Sequence, residues 1–274
     1  MTTSTVPAIN PEQYHEYSSV QEKLAHEMLE KIPFQGDENI LDIGCGNGRI
    51  THYLAEKVQS GGKVIGSDIS PSMIEFAKHT YENKPPHNLD FLVLDARHLT
   101  KIGAFDLVVS FSCFHWFDKH DQVVQQISQN LKPNGFFCAV FCPNYGVNPI
   151  NQAIDAVASQ DKWRPYFKTI EENYKLTKPD DFLLYLKQAG LVVEHFEIRE
   201  KDEMFEDENA YMNWMIPWLG GLHRFPEDPH FKEQLQEFAN EILTNYLSLC
   251  PLDEQGHVHY LDYTLEVLAR KIAH

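Results

Sequence analysis

An α/β fold, built on a doubly wound and mostly parallel seven-stranded sheet, is predicted by three features of the chain. From residue 39 to about 142, short apolar runs alternate with amphipathic helical stretches, the pattern of a parallel sheet wrapped on both faces. The first run, Asn39-Ile40-Leu41-Asp42-Ile43, leads directly into three glycines at alternate positions, Gly44, Gly46 and Gly48. Acidic residues, Asp68 and Asp95, close the next two runs. Ligands of such sheets bind beyond the carboxyl ends of the strands, where these acids and glycines fall.

The elements follow in order. The first strand, 39–43, is followed by a helix from Arg49 to about Val58, and the Gly61-Gly62 turn starts a second strand, Lys63–Ser67, ending at Asp68. Ser70 is placed to cap the next helix, with Pro71 in its first turn, where a missing N–H is harmless. A third strand, Leu89–Leu94, ends at Asp95; a fourth, Phe105–Ser110, enters an aromatic loop and then a helix from about Lys119 to Leu131. Lys132-Pro133-Asn134-Gly135 reads as a turn before a fifth strand, Phe136–Cys142. Beyond it comes a helical stretch containing Trp163 and Tyr166, then a capped helix start at Thr177–Asp181 running to Gly190. Strands near Leu191–Arg199 and His259–Ala269 complete seven. The residues between them, rich in Trp, Phe and Pro, are too many for a hairpin and read as a helical insertion. The expected organisation is an N-terminal helical segment, 1–35, over the cofactor site; a core of 36–202 and 256–274; and an acceptor cap formed by 203–255.

The glycine spacing narrows the ligand. A dinucleotide fingerprint, Gly-x-Gly-x-x-Gly or Ala, needs a small residue at position 49, which is Arg49. An NAD-linked dehydrogenase is disfavoured on the same ground. The pattern Asp42-x-Gly44-x-Gly46-x-Gly48 resembles the first motif of the class I S-adenosylmethionine-dependent methyltransferases, and the resemblance extends over about residues 38 to 142. It implies a Rossmann-like methyltransferase fold and S-adenosyl-L-methionine as cofactor, contacted by Asp42, Gly44, Cys45, Gly46, Asp68, Ile69, Met73, Asp95, Ala96 and Ser110. A carboxylate at Asp68 suits the two ribose hydroxyls; Ile69 and Met73 would flank the adenine; Asp95, beside Ala96, would accept from its exocyclic amine.

The loop Phe111-Ser112-Cys113-Phe114-His115-Trp116-Phe117 puts His115 and Trp116 where the acceptor meets the methyl group. This loop is similar to that of the juvenile-hormone-acid and trans-aconitate carboxyl methyltransferases, and the spacing of Tyr14 and Gln21 resembles the former group. Substrate contacts are therefore expected from Tyr14, Gln21, His115 and Trp116, with His115 as the catalytic candidate. A carboxylate acceptor is already ionised near neutral pH and needs no base; a hydroxyl or other nucleophile would make His115 the base, on its ordinary pKa. Phe114, Trp116, Trp163, Trp214 and Trp218 all fall in segments expected around an apolar mouth, although any one aromatic at such spacing is more often plain core. Arg97, Arg164, Arg199 and Arg224 are the arginines a polycarboxylate would call on, and none falls at a recognisable ligand position, which favours a lipophilic monoacid.

Composition sets the remaining bounds. The formal charge of −17, from 40 acidic and 23 basic side chains in 274 residues, argues against nucleic acid or an anionic membrane and for a small-molecule acceptor. Met1–Pro7 lacks the basic and apolar regions of a secretion leader, and a cytoplasmic monomer or homodimer is expected. Five cysteines in unrelated contexts read as free thiols. His257, His259 and Asp262 have strand spacing compatible with a metal but no recognisable fourth ligand, and no metal is expected. The alternatives to carboxyl methylation are O-, N- or C-methylation of another small nucleophile, or binding of S-adenosylmethionine without catalysis.

Overall fold

In the computed structural model, residues 9–58, 61–100, 102–225 and 228–272 are described. Met1–Pro7, on which the absence of a leader was read, lies outside them, as do the extremes of the expected segments 1–35 and 256–274 and two residues within 203–255. In chain order the helices are α1 (Pro11–Tyr17), α2 (Ser19–Leu29), α3 (Arg49–Lys57), α4 (Pro71–Tyr81), α5 (His120–Asn130), α6 (Pro149–Ala158), α7 (Ile170–Asn173), α8 (Pro179–Gln188), α9 (Glu208–Leu219) and α10 (Phe231–Leu249). The strands are β1 (Asn39–Ile43), β2 (Lys63–Asp68), β3 (Leu89–Val93), β4 (Phe105–Phe111), β5 (Leu131–Phe141), β6 (Leu191–Phe205) and β7 (Val258–Lys271). They form one seven-stranded sheet in the order β3-β2-β1-β4-β5-β7-β6. Pairing is parallel from β3 through β5, and β7 joins β5 antiparallel, Phe137 facing Ala269.

The chain divides into two compact units. One contains Ser19–Asn144, Leu176–Arg199 and the chain from Thr264 onward, and so carries the parallel sheet. Its central strands, β1, β4 and β5, are buried on both faces over most of their length, which is why they read as continuous apolar runs. Leu41, Ile43, Val108, Phe137 and Ala139 pack with Val123, Ile127 and Phe182 on one face. The alternate residues, Ile40, Leu107, Val109, Cys138 and Val140, pack with Met28, Leu54 and Ile74 on the other. Each Val, Leu, Ile, Phe or Met among them contributes about 1.5–3 kcal/mol when removed from water, so the strand ends are held by a well-packed scaffold. The other unit contains the chain up to Ser18, Tyr145–Lys175 and Glu200–Tyr263, and is mainly helical. Its core includes Trp163, Phe167 and Phe238, with Phe167 stacked on Phe238 at 3.7 Å between ring centroids.

Three local expectations are corrected. The turn expected at 132–135 belongs to β5: Phe105 faces Leu131 and Leu107 faces Phe136, so the intervening residues bulge from the ladder, with Asn134 left-handed at φ 64. The helical stretch expected to hold Trp163 and Tyr166 ends earlier, at Ala158, and both residues lie in turns; Pro165, with no N–H, cannot continue a helix there. The start of α8 has Lys178 at the cap with no side-chain cap hydrogen bond, and Pro179 with Asp180 and Asp181 forms its first turn. By contrast Ser70 caps α4 as expected, its hydroxyl accepting from Met73 N–H.

Candidate active site at the strand ends

The glycine loop is fixed by backbone chemistry. Gly44 N–H and Cys45 N–H both donate to Ser67 O, at 2.7 and 2.9 Å, which ties the end of β1 to the end of β2. Gly44 has φ +74, and a Cβ added there would stand 2.2 Å from Cys113 Sγ in the turn after β4. Only glycine meets both demands. At Gly48, φ +79, a Cβ would come within 2.8 Å of Ala77 and 2.9 Å of the Phe91 ring, so the third glycine lets α3 approach α4 and β3. Arg49, the residue that disqualified a dinucleotide motif, begins α3 and forms an ion pair with Glu22 of α2 at 2.5 Å.

Three carboxylates surround this loop, each in a different setting. Asp42 is buried and accepts from the Thr51 hydroxyl at 2.7 Å; burial pushes its pKa up to about 7, against the lowering effect of that bond. Asp68 accepts from Gly46 N–H at 3.0 Å and Ser70 N–H at 2.8 Å, and burial holds its carboxyl above the ordinary range despite these donors. Asp95 is different: burial would raise it, yet the Arg97 guanidinium and main-chain N–H outweigh burial and leave it lowered. Cys45 is buried beside Asp68 and Asp42, and burial pushes its thiol well up, so it is an inert packing residue of the loop. Ile69 follows Asp68 half-buried, Met73 is buried in the first turn of α4, and Ala96 opens the single turn Ala96–His98.

The aromatic turn after β4 completes this end of the sheet. The Ser110 side chain is fully buried and its hydroxyl donates to Ile43 O at 2.9 Å, so it joins β4 to β1; any ligand contact at this position falls to the backbone. Phe114, expected at the pocket mouth, is instead fully buried among Phe117, Phe137, Phe141 and Phe182. His115 and Trp116 follow on the same short turn, their ring centroids 5.5 Å apart, with Trp116 half-buried. His115 is only 7% exposed, and burial, followed by the neighbouring His120, lowers its pKa to about 3. The assumption of an ordinary imidazole pKa is therefore corrected: His115 is neutral at pH 7 and a weak base. Gln21 lies half-buried on α2, in the sheet unit, whereas Tyr14 lies on α1, in the helical unit.

Other expected participants are engaged elsewhere. Trp163 is a core residue of the helical unit, donating to Glu241 at 2.9 Å, and Trp214 and Trp218 are buried on α9. All four arginines lie against acids: Arg97 on Asp95, Arg164 on Asp161, Arg199 on Glu266 and Arg224 on Glu172. The strand-spaced trio does not converge, since Asp262 accepts from Asn148 and Tyr260 while His257 and His259 face Asp253, and His259 also faces Asp202. His195, Glu197 and Glu266 do bring ligand atoms within 4.8 Å of one another. Lys31 Nζ already sits 2.9 Å from Glu266 and 3.1 Å from His195, with Arg199 2.5 Å from the same carboxylate, so the chain's own cations neutralise this cluster. Among the described residues the five cysteines are free, and no helix is long and apolar enough to cross a membrane.

Two contacts of this site escaped the sequence reading, that of Arg97 with Asp95 and that of Cys113 with Gly44. Arg97 carried a signal, an acid two residues before a base directly after a strand, that marks a capped turn with an ion pair. Cys113 carried none, because its contact with Gly44 joins residues far apart in sequence.

The chain is similar to known proteins in sequence and in fold. A family model described as a methyltransferase domain matches residues 35–190. Juvenile hormone acid O-methyltransferase of Drosophila melanogaster is 24% identical over 243 residues, covering 86% of this chain and 80% of its own length. Trans-aconitate 2-methyltransferase of Escherichia coli is 23% identical over 272 residues, covering 96% of this chain and 98% of its own. The fold is shared with a mycolic acid cyclopropane synthase solved with S-adenosylhomocysteine, at a TM-score of 0.62, 14% identity and coverage of 93% and 85% of the two chains. The family match spans more than half of the chain, which therefore belongs to the methyltransferase family, in the S-adenosylmethionine-dependent class that its glycine loop resembles.

Proposed function

We propose that this protein transfers a methyl group from S-adenosyl-L-methionine to the carboxylate of a small or lipophilic acid. The residues present fit the cofactor. Asp42 and Asp68 are both held above the ordinary carboxylate range by burial, so a cationic ligand beside them would stabilise their ionised forms and be stabilised in turn. Asp68, already aimed by two backbone N–H groups, is suited to ribose hydroxyls, and Asp95 to the adenine amine. When bound, the cofactor supplies an electrophilic methyl carbon for in-line displacement.

The observation that carries the acceptor class is the state of His115. A neutral imidazole with a pKa near 3 abstracts protons poorly at neutral pH but still donates one hydrogen bond. A carboxylate arrives ionised and needs orientation and exclusion of water, not a base. In this reading His115, Trp116 and Gln21, all in the sheet unit, orient the acceptor oxygen. The internal pairing of Arg97, Arg164, Arg199 and Arg224 favours a monoacid over a polycarboxylate. The two carboxyl methyltransferases among the relatives support the same class. The test is a panel of fatty, terpenoid and polycarboxylic acids assayed with methyl-labelled cofactor. Label released by mild base as a methyl ester from a lipophilic monoacid is the expected result; label transferred only to amines or alcohols would overturn it.

A further inference from the structure

We propose that Arg97 is a positioning residue for nucleobase selection: it holds the Asp95 carboxylate in one orientation, as an acceptor matched to the exocyclic amine of adenine. The inference rests on the reading above that this chain binds S-adenosylmethionine with Asp95 at the base.

The geometry is a closed fork. Arg97 Nε lies 3.0 and 3.1 Å from the two Asp95 oxygens, Nη2 lies 2.7 Å from Oδ2, and the Arg97 main-chain N–H donates to Oδ1 at 2.9 Å. Three donors from one residue thus fix both oxygens, leaving the carboxylate no free rotation. The fork is itself held. Asp95 caps the turn Ala96–His98, His98 N–H returns to Asp95 O at 2.9 Å, Gln126 donates to Arg97 O at 3.1 Å, and Asp118 lies 3.4 Å from Arg97 Nη1. His98 Nδ1 approaches Asp95 Oδ2 at 3.4 Å from an exposed side chain. Asp95 remains about one-fifth exposed, so its outer lone pairs are available to a ligand.

An ionised carboxylate accepts hydrogen bonds and cannot donate. Opposite an amine it gains a charge-assisted bond; opposite a carbonyl oxygen it meets repulsion. A carboxyl freed from the arginine can rotate, or take a proton and donate, and either change relaxes the discrimination. Arg97 therefore acts on the ratio between amine and carbonyl ligands, which a merely structural arginine would leave alone.

The experiment is titration calorimetry of the full chain with S-adenosylhomocysteine and with S-inosylhomocysteine, in which a carbonyl replaces the amine. Wild type is expected to prefer the adenine compound by at least about tenfold, the scale of one hydrogen bond to a charged group. Arg97→Ala should cut that preference about tenfold, mainly by weakening the adenine compound, and Arg97→Lys, which keeps the charge but not the fork, should fall between. Equal weakening of both ligands in Arg97→Ala, or an unchanged ratio, overturns the proposal. If Arg97→Ala does not fold, the ratio in Arg97→Lys decides by the same criterion. No preference in wild type would refute the role of Asp95, and no binding of either compound would refute the cofactor reading itself; the proposal falls in both cases.

Discussion

The glycine loop at the end of β1 and the aromatic turn at the end of β4 terminate neighbouring strands, yet different forces build them. The loop is a backbone structure: left-handed glycines, N–H groups gathered on Ser67 O and on Asp68, and acids whose pKa burial raises. The turn is a packing structure, in which Phe114 is sunk among four phenylalanines and His115 has lost its ordinary basicity to burial. They touch where Cys113 covers Gly44. In the first region residue type sets the chemistry directly; in the second, surroundings change the chemistry that the residue type suggests.

The contact between the two regions can be broken. Gly44→Ala adds a Cβ in a left-handed position, 2.2 Å from Cys113 Sγ, and should cost about 2–4 kcal/mol from overpacking and backbone strain combined, read from urea midpoints. Adding Cys113→Gly should restore the packing share and leave about 1 kcal/mol of strain. A neutral Gly44→Ala would mean that loop and turn are not locked together. A smaller effect sharpens the electrostatic half of the comparison. Asp42 is raised to about 7 by burial, so the folded chain holds this proton more tightly than the unfolded chain does. Its contribution to stability is fully present below about pH 4, the ordinary carboxylate value, and is lost as pH rises through about 7. Asp42→Asn retains an acceptor for Thr51 and does not titrate, so its stability relative to wild type should climb between those limits; a flat difference would show that Asp42 is not desolvated.

Most of the sheet was legible because strands buried on both faces write themselves as uninterrupted apolar runs, and because Ser70, Pro71 and the glycines have narrow conformational uses. The bulge at 132–135 was not: Pro-Asn-Gly chemistry marks a bend, and whether the ladder resumes past it depends on the neighbouring strand. At the candidate site the strand-end positions of Asp42, Asp68 and Asp95 were readable, but the directions of their pKa shifts were not, since those depend on burial, on Thr51, on backbone donors and on Arg97. Phe114 and Trp163 fall in segments expected near the pocket mouth, and the structure buries both in cores, the commoner fate of such aromatics. His115 shows the limit most clearly, because its position was readable and its basicity was set by burial.

The most direct test of the account is the pH dependence of methyl transfer to the best acid of the panel, followed from about pH 6 to 8.5 in wild type and in His115→Gln. With an acceptor already ionised and His115 neutral throughout, the turnover number should show no inflection near 6.5 in either protein, and the variant should lose through acceptor binding more than through turnover. An inflection near 6.5 in wild type that disappears in His115→Gln, together with a fall in turnover of about a hundredfold or more, would make His115 a general base and contradict the account.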